Sequence, residues 1–203
     1  MSRNKDYPVP AGYLERETEV KKSRFIARVA PVSSREEVKD WLEQAHQDHP
    51  DARHICWAYQ IGRPGSAAEA AMNDDGEPSG TAGKPILNVI QHKDMGDVLV
   101  MVIRYFGGIK LGAGGLVRAY AGAAESVLSA VDRVVQTPMT DALVSLTFAD
   151  EQPLRHWCDV NGASVESVDY GASVRARVLV PEDQLAAFGA FCDAQKLDYS
   201  FER

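Results

Sequence analysis

Apolar and polar residues change period several times along this chain, and each change predicts an element. Between residues 13 and 31, Val20, Phe25, Ile26 and Val29 recur as inward positions, interrupted at Lys21-Lys22-Ser23, which predicts two strands. Ser33 or Ser34 then caps a helix whose positive first turn suits Glu36 and Glu37. Val38, Trp41, Leu42 and Ala45 give that helix a buried stripe, and Pro50 ends it. Residues 55–61 are β-branched and aromatic, hence a strand. A polar, glycine-bearing loop is expected to run to about Gly83. Pro85 then sits in the first turn of a helix carrying Ile86, Leu87, Val89 and Ile90. The continuous apolar run 98–103 predicts a central strand covered on both faces. Residues 116–131 read as a long, alanine-rich helix.

Beyond residues 136–140, a polar stretch containing Pro138, the order is strand 143–148, helix 153–160, strands 164–170 and 173–180 turning at Gly171, a helix starting at Pro181, and strand 197–201. That β-α-β-β-α-β order is ferredoxin-like. The pattern predicts an α+β protein with an N-terminal domain over 1–136, a linker over 137–140 and a ferredoxin-like C-terminal domain over 141–203.

Composition narrows the class. With 203 residues, 45% hydrophobic and 25% charged, the chain is ordinary globular sequence. No apolar run approaches the roughly 20 residues of a membrane helix. The first residues have no apolar signal core, so a cytoplasmic protein without membrane contact is expected. Cys56, Cys158 and Cys192 are widely spaced, which fits reduced, buried thiols. A reactive Cys56 on the same strand face as His54 is the competing reading.

Charge is uneven. Up to Gln136 it nearly balances, at about −1, whereas the remainder carries about −6 of the total −7. Phosphate neutralisation dominates nucleic-acid affinity, so the acidic remainder is a poor RNA surface. Between Asp97 and Glu125 there is no acid, and Arg104, Lys110 and Arg118 lie there with Tyr105, Phe106 and Tyr120.

Two segments concentrate the candidate chemistry. The first contains Asp74, Asp75, Gly76, Glu77, Pro78, Gly80, Thr81, Gly83 and Lys84. The second contains Gly107, Gly108, Lys110, Gly112, Gly114 and Gly115. Glycine is costly to order, so both are expected to line one surface depression. Neither is a nucleotide fingerprint: Pro78 and Pro85 break the P-loop pattern, and Val117 replaces the last glycine of GxGxxG. A glycine loop opening a helix still offers backbone N–H groups to phosphate or an RNA backbone. Close packing of loop, strand and helix is the alternative. Arg104-Tyr105-Phe106 with Arg118 and Tyr120 reads either as a stacking-plus-charge surface or as core with half-buried tyrosines. Asp74, Asp75 and Glu77 would hold a divalent cation or act as acid and base, unless they are simply solvated. His46, His49 and His54 beside Asp48 and Asp51 imitate a metal site, but His46 and His49 also suit a helix C-terminus. No metal, cofactor or catalytic residue is implied.

The two segments, with Lys22-Ser23-Arg24-Phe25-Ile26 and His54, resemble the YigZ/IMPACT family (UPF0029). The likeness rests on Asp75-Gly76-Glu77-Pro78, on residues 80–85, on residues 102–112 and on Gly114-Gly115-Leu116-Val117-Arg118-Ala119-Tyr120. It covers roughly residues 13–136, while residues 141–203 resemble the C-terminal domain of bacterial members. The resemblance implies an N-terminal fold like the second domain of ribosomal protein S-five and a C-terminal fold like the last domain of elongation factor G. Both point to RNA or ribosome contact. Eukaryotic relatives act in translational control by competing for an activator of a stress-responsive kinase. That partner does not carry over, because these residues have no counterpart of their RWD domain.

The expected function is therefore a non-catalytic, translation-associated protein contacting RNA or the ribosome through its N-terminal domain. Lys84, Arg104, Tyr105, Gly108, Lys110, Gly112, Gly114, Gly115 and Arg118 are the candidate contacts. An enzyme acting on a phosphorylated small molecule or nucleotide is one alternative. A protein-interaction module docking a basic partner through the acidic C-terminal domain is the other. The oligomeric state is not legible.

Overall fold

The computed structural model describes residues 6–171 and 174–202, which form two compact units, Tyr7–Gln136 and the chain from Thr137 onward. In the first unit, β2 (Leu14–Val20), β3 (Ser23–Pro31), β4 (His54–Ile61), β5 (Glu69–Asn73) and β6 (Val98–Tyr105) build one antiparallel sheet in the order β2-β3-β6-β4-β5. The apolar run of β6 is central, as its covering on both faces requires. Its alternate residues serve two cores. Leu99, Met101 and Ile103 pack with Val38 and Ala45 of α1 (Arg35–Asp48). Val98, Val100 and Val102 pack with α2 (Gly83–His92) and α3 (Ala113–Leu128).

Helix α1 begins as its sequence requires: the Ser34 hydroxyl accepts the Glu37 N–H, and Glu36 and Glu37 occupy the first turn. The β2–β3 hairpin turns on Lys21 and Lys22, both at positive φ (47° and 65°), the geometry a two-residue turn needs to match strand twist. Three strands go unrecognised in the sequence. Part of the expected loop before Gly83 is β5, paired with β4, where Glu69-Ala70-Ala71-Met72-Asn73 carries little β-branched signal. Tyr7–Pro10 (β1) pairs with Arg133–Gln136 (β7), a contact between segments far apart in sequence.

The second unit comprises β8 (Met139–Leu146), α4 (Glu151–Asn161), β9 (Ser164–Tyr170), β10 (Val174–Pro181), α5 (Leu185–Gln195) and β11 (Asp198–Phe201). Its antiparallel order β11-β8-β10-β9 is ferredoxin-like, and the protein is α+β. Three boundaries move. Only Thr137 and Pro138 separate β7 from β8, because Met139 and Thr140 pair with Pro181 and Val180. Phe148 lies beyond β8, exposed and stacked on Tyr170. Pro181 ends β10 rather than starting α5, since a turn through Gln184 intervenes. Ser173, expected to begin a strand, lies outside the described residues.

Candidate functional site

The first glycine segment is organised by its own acids. Asp74 accepts N–H groups from Gly80 (2.7 Å), Gly83 (2.8 Å) and Ala82 (3.0 Å), folding the loop around one carboxylate. Burial pushes that carboxyl up, but the three donors outweigh it and hold it below the usual carboxylate range. Asp75, at φ 41°, accepts the Ile55 N–H at 2.6 Å, and its carbonyl accepts the His54 Nδ1–H at 2.7 Å. Glu77 is buried and accepts from both Arg104 Nη1 (2.6 Å) and the Tyr120 hydroxyl (2.8 Å). Each of the three acids therefore accepts hydrogen bonds from the protein, Glu77 buried and Asp74 and Asp75 half-buried. Among the described residues no group of three His, Cys, Asp or Glu side chains is placed to hold a metal.

Glu77, Tyr120 and Cys56 continue one buried network: the Cys56 thiol lies 3.3 Å from the Tyr120 hydroxyl and 2.9 Å from the Asp74 carbonyl. Burial pushes the Cys56 thiol up to about 12, so it is a packed thiol and not the reactive one considered above. Tyr120 is fully buried, which removes it from any stacking surface. Gly83 has a packing reason: a Cβ there would lie 2.9 Å from the Asn73 backbone nitrogen.

The second segment behaves differently. Gly107 packs on the hairpin turn, where a Cβ would come within 2.0 Å of the Lys22 carbonyl carbon, and the buried Ser23 hydroxyl accepts its N–H. Beyond it, Gly108 (φ 84°) and Gly112 (φ 73°) hold left-handed backbone in open space. Gly112 introduces α3 with no side-chain cap and no acid in the first turn. The first bond of that helix runs from Leu116 N–H to the Gly112 carbonyl. The N–H groups of Ala113, Gly114 and Gly115 thus carry the positive end of a 16-residue helix.

That helix end opens on a cavity of about 650 Å³. Its wall contains Gly112, Ala113, Leu111 and Lys110 from the second segment and Glu77 and Pro78 from the first. Arg104 forms part of its lining, 8% exposed, with Glu77 on Nη1 and its Nε without a partner. The guanidinium lies 5.6 Å from the Phe25 ring and 5.7 Å from that of Phe106, and Phe106 is 57% exposed beside the cavity. Asp51, Arg53 and His54 also line the cavity, and the β4–β6 register sets His54 opposite Arg104.

The two segments thus meet in part, and several expectations need correction. Arg104 is a buried, paired cation and not a surface one. Tyr105 borders the cavity, but strand alternation turns its ring toward α1, where its hydroxyl is hydrogen-bonded to His49 Nδ1 at 2.9 Å. Gly80 and Lys84 line a separate depression between α2 and α3 with Asn88, His92 and Glu125. Asp75, Gly76, Thr81, Gly83, Gly108, Gly114, Gly115 and Arg118 are not in the cavity wall. Arg118 is exposed on α3, one turn past Gly114, and Thr81 hydrogen-bonds the Pro78 carbonyl at 2.6 Å. Arg53 was missed. No sequence motif marks it, and only the strand register brings it to the site.

Comparison with known proteins accords with this architecture. Residues 21–128 match the Impact N-terminal domain, and residues 144–191 match a domain of unknown function, DUF1949. The chain is 38% identical over 185 residues to IMPACT family member YigZ of Escherichia coli strain K12, covering 90% of this chain and 89% of that one. It is 32% identical over 185 residues to an IMPACT family member of Haemophilus influenzae, covering 91% and 90%. A crystal structure of a hypothetical protein, 33% identical, superposes with a TM-score of 0.79 over 96% of each chain. A likeness of this extent, carried by both units, means that the chain belongs to the IMPACT family.

Proposed function

We propose that this protein is a non-catalytic, translation-associated factor whose first unit contacts RNA, free or within the ribosome, through the cavity at the start of α3. One observation carries the reading: an uncapped helix N-terminus, Lys110, Arg53 and an exposed Phe106 converge on one concave surface. Backbone N–H groups and cations suit phosphate, and an exposed ring suits a base. The enzyme alternative is disfavoured because each acid that would hold magnesium already accepts hydrogen bonds from the protein. The acidic second unit remains suited to a basic protein partner. No helix among the described residues is long and apolar enough to cross a membrane.

Co-sedimentation with ribosomes and titration of a single-stranded RNA, each at two salt concentrations, test this. Binding that weakens steeply with salt is expected. Absence of binding at low salt would move the function to the second unit. The reading also treats 7–136 and the remainder as separately folding domains. Limited proteolysis is expected to cut near Thr137-Pro138 and leave two folded fragments, and a chain that resists cleavage there argues against it.

A further inference from the structure

We infer that His54 makes the cavity selective for an unpaired base that carries a ring N–H, uracil or guanine in RNA, by accepting that hydrogen at its Nε2. This rests on the reading that the first unit contacts RNA.

The fold sets the tautomer of His54. Its Nδ1 lies 2.7 Å from the Asp75 carbonyl oxygen, and a carbonyl only accepts, so Nδ1 carries the proton. The neutral ring therefore presents a lone pair at Nε2. That atom has no partner among the described residues and is open to solvent. Asp75 and Gly76 flank the Nδ1 side of the ring and are not in the cavity wall, whereas His54 is. The edge turned to the cavity is thus the one that carries Nε2.

The other lining side chains leave this lone pair in an uncharged setting. Leu111 and Leu116 are apolar, Glu77 is paired with Arg104, and the Tyr105 hydroxyl is bonded to His49. Asp51, Arg53 and Lys110 are all exposed, so the unpaired charges stand at the rim. Among the lining side chains, Nε2 is the one uncharged acceptor without a partner. Such an acceptor beside an apolar wall suits a flat, neutral ring that offers an N–H, while the rim cations suit the phosphates on either side of it. Uracil N3 and guanine N1 carry that hydrogen. Cytosine N3 and adenine N1 carry a lone pair instead, which would face the lone pair of Nε2. In a duplex the same N–H is committed to the opposite strand, so the base must be unpaired. A volume of about 650 Å³ is ample for one base, and the exposed Phe106 ring offers it a face to stack on.

Fluorescence titration of the full chain with three single-stranded oligomers of equal length, made of uridine, cytidine or 3-methyluridine, tests the assignment. Their backbone charge is the same, so the rim cations do not distinguish them. The uridine oligomer is expected to bind about fivefold more tightly than either of the others, the size of one hydrogen bond. Equal binding of all three overturns the role of His54 while leaving the RNA reading standing. Binding of none overturns both. His54→Asn keeps a side-chain N–H for the Asp75 carbonyl and removes Nε2. This variant is expected to hold its unfolding midpoint and bind the three oligomers alike. A preference for uridine that survives in it overturns the assignment. Should His54→Asn unfold, the 3-methyluridine oligomer still decides, because its methyl group replaces the ring hydrogen. Binding to the unaltered protein as tight as that of the uridine oligomer overturns the assignment.

Discussion

The two glycine-rich segments look alike in sequence and do opposite things. In the first, Asp74, Asp75 and Glu77 each accept donors from the protein, so its acids have partners within the fold. In the second, the glycines beyond Gly107 hold an open turn, and the helix they introduce keeps its first N–H groups uncapped. Both segments contribute to the cavity wall, but only the second leaves a helix start uncapped. Polar density therefore marks both kinds of loop, and the distinction lies in whether the donors and acceptors already have partners.

Breaking the first segment should unfold the protein, and breaking the second should not. The largest effect is expected for Glu77→Ala, which leaves the buried Arg104 guanidinium without its partner. A loss of about 3–5 kcal/mol in denaturant unfolding follows from removing one half of a buried pair. A loss below about 1 kcal/mol would mean the first segment is not structural.

Asp74→Asn is expected to cost about 1.5–3 kcal/mol, the range for a charged hydrogen-bond acceptor. The Asp74 carboxyl is held below its ordinary value of 3.8 in the folded state. Its contribution is therefore complete above that value and is lost as pH falls through the lower folded one. The stability gap between wild type and variant should stay constant near neutrality and shrink below about pH 4. A gap that widens on acidification contradicts the sign.

The second segment is probed by Lys110→Ala and Arg53→Ala. Each should weaken RNA binding about three- to tenfold at low salt and flatten the slope of log affinity against log salt by roughly 0.7. Unfolding free energy should move by no more than about 0.5 kcal/mol, as for other surface changes. Lys84→Ala makes the sharpest comparison, because it removes the same charge from the first segment, in a different depression. RNA affinity should change by less than about twofold. Equal losses at Lys84 and Lys110 would erase the difference between the segments.

Much of the architecture is legible in local pattern. The central strand announces itself by an unbroken apolar run, α1 by its Ser34 cap and stripe, and the second unit by its element order. Strands β1, β5 and β7 are not legible, because short segments with weak β propensity become strands only when a partner edge is available. The cavity is legible in part. Gly112 and Lys110 stand out as glycine and charge, but Arg53 carries no local signal, and the grouping of Arg104 with Tyr105 overlooks period-two alternation.

By itself the sequence determined which residues form the strands and helices of the cores, the family, the acid-free stretch before Glu125, and the two places where glycine is concentrated. These follow from local periodicity and composition, which need no partner to be read. Tertiary structure alone decided which charges are free. Arg104 became a buried cation because β6 is central and its even positions face α2 and α3, while Lys110 stayed exposed on the following loop. It also decided that Glu77 would neutralise Arg104 from 27 residues away, and that Arg53 and Gly112 would line the same cavity. Burial and pairing depend on what lies opposite in space, and strand register, which sets that, is a property of the folded sheet.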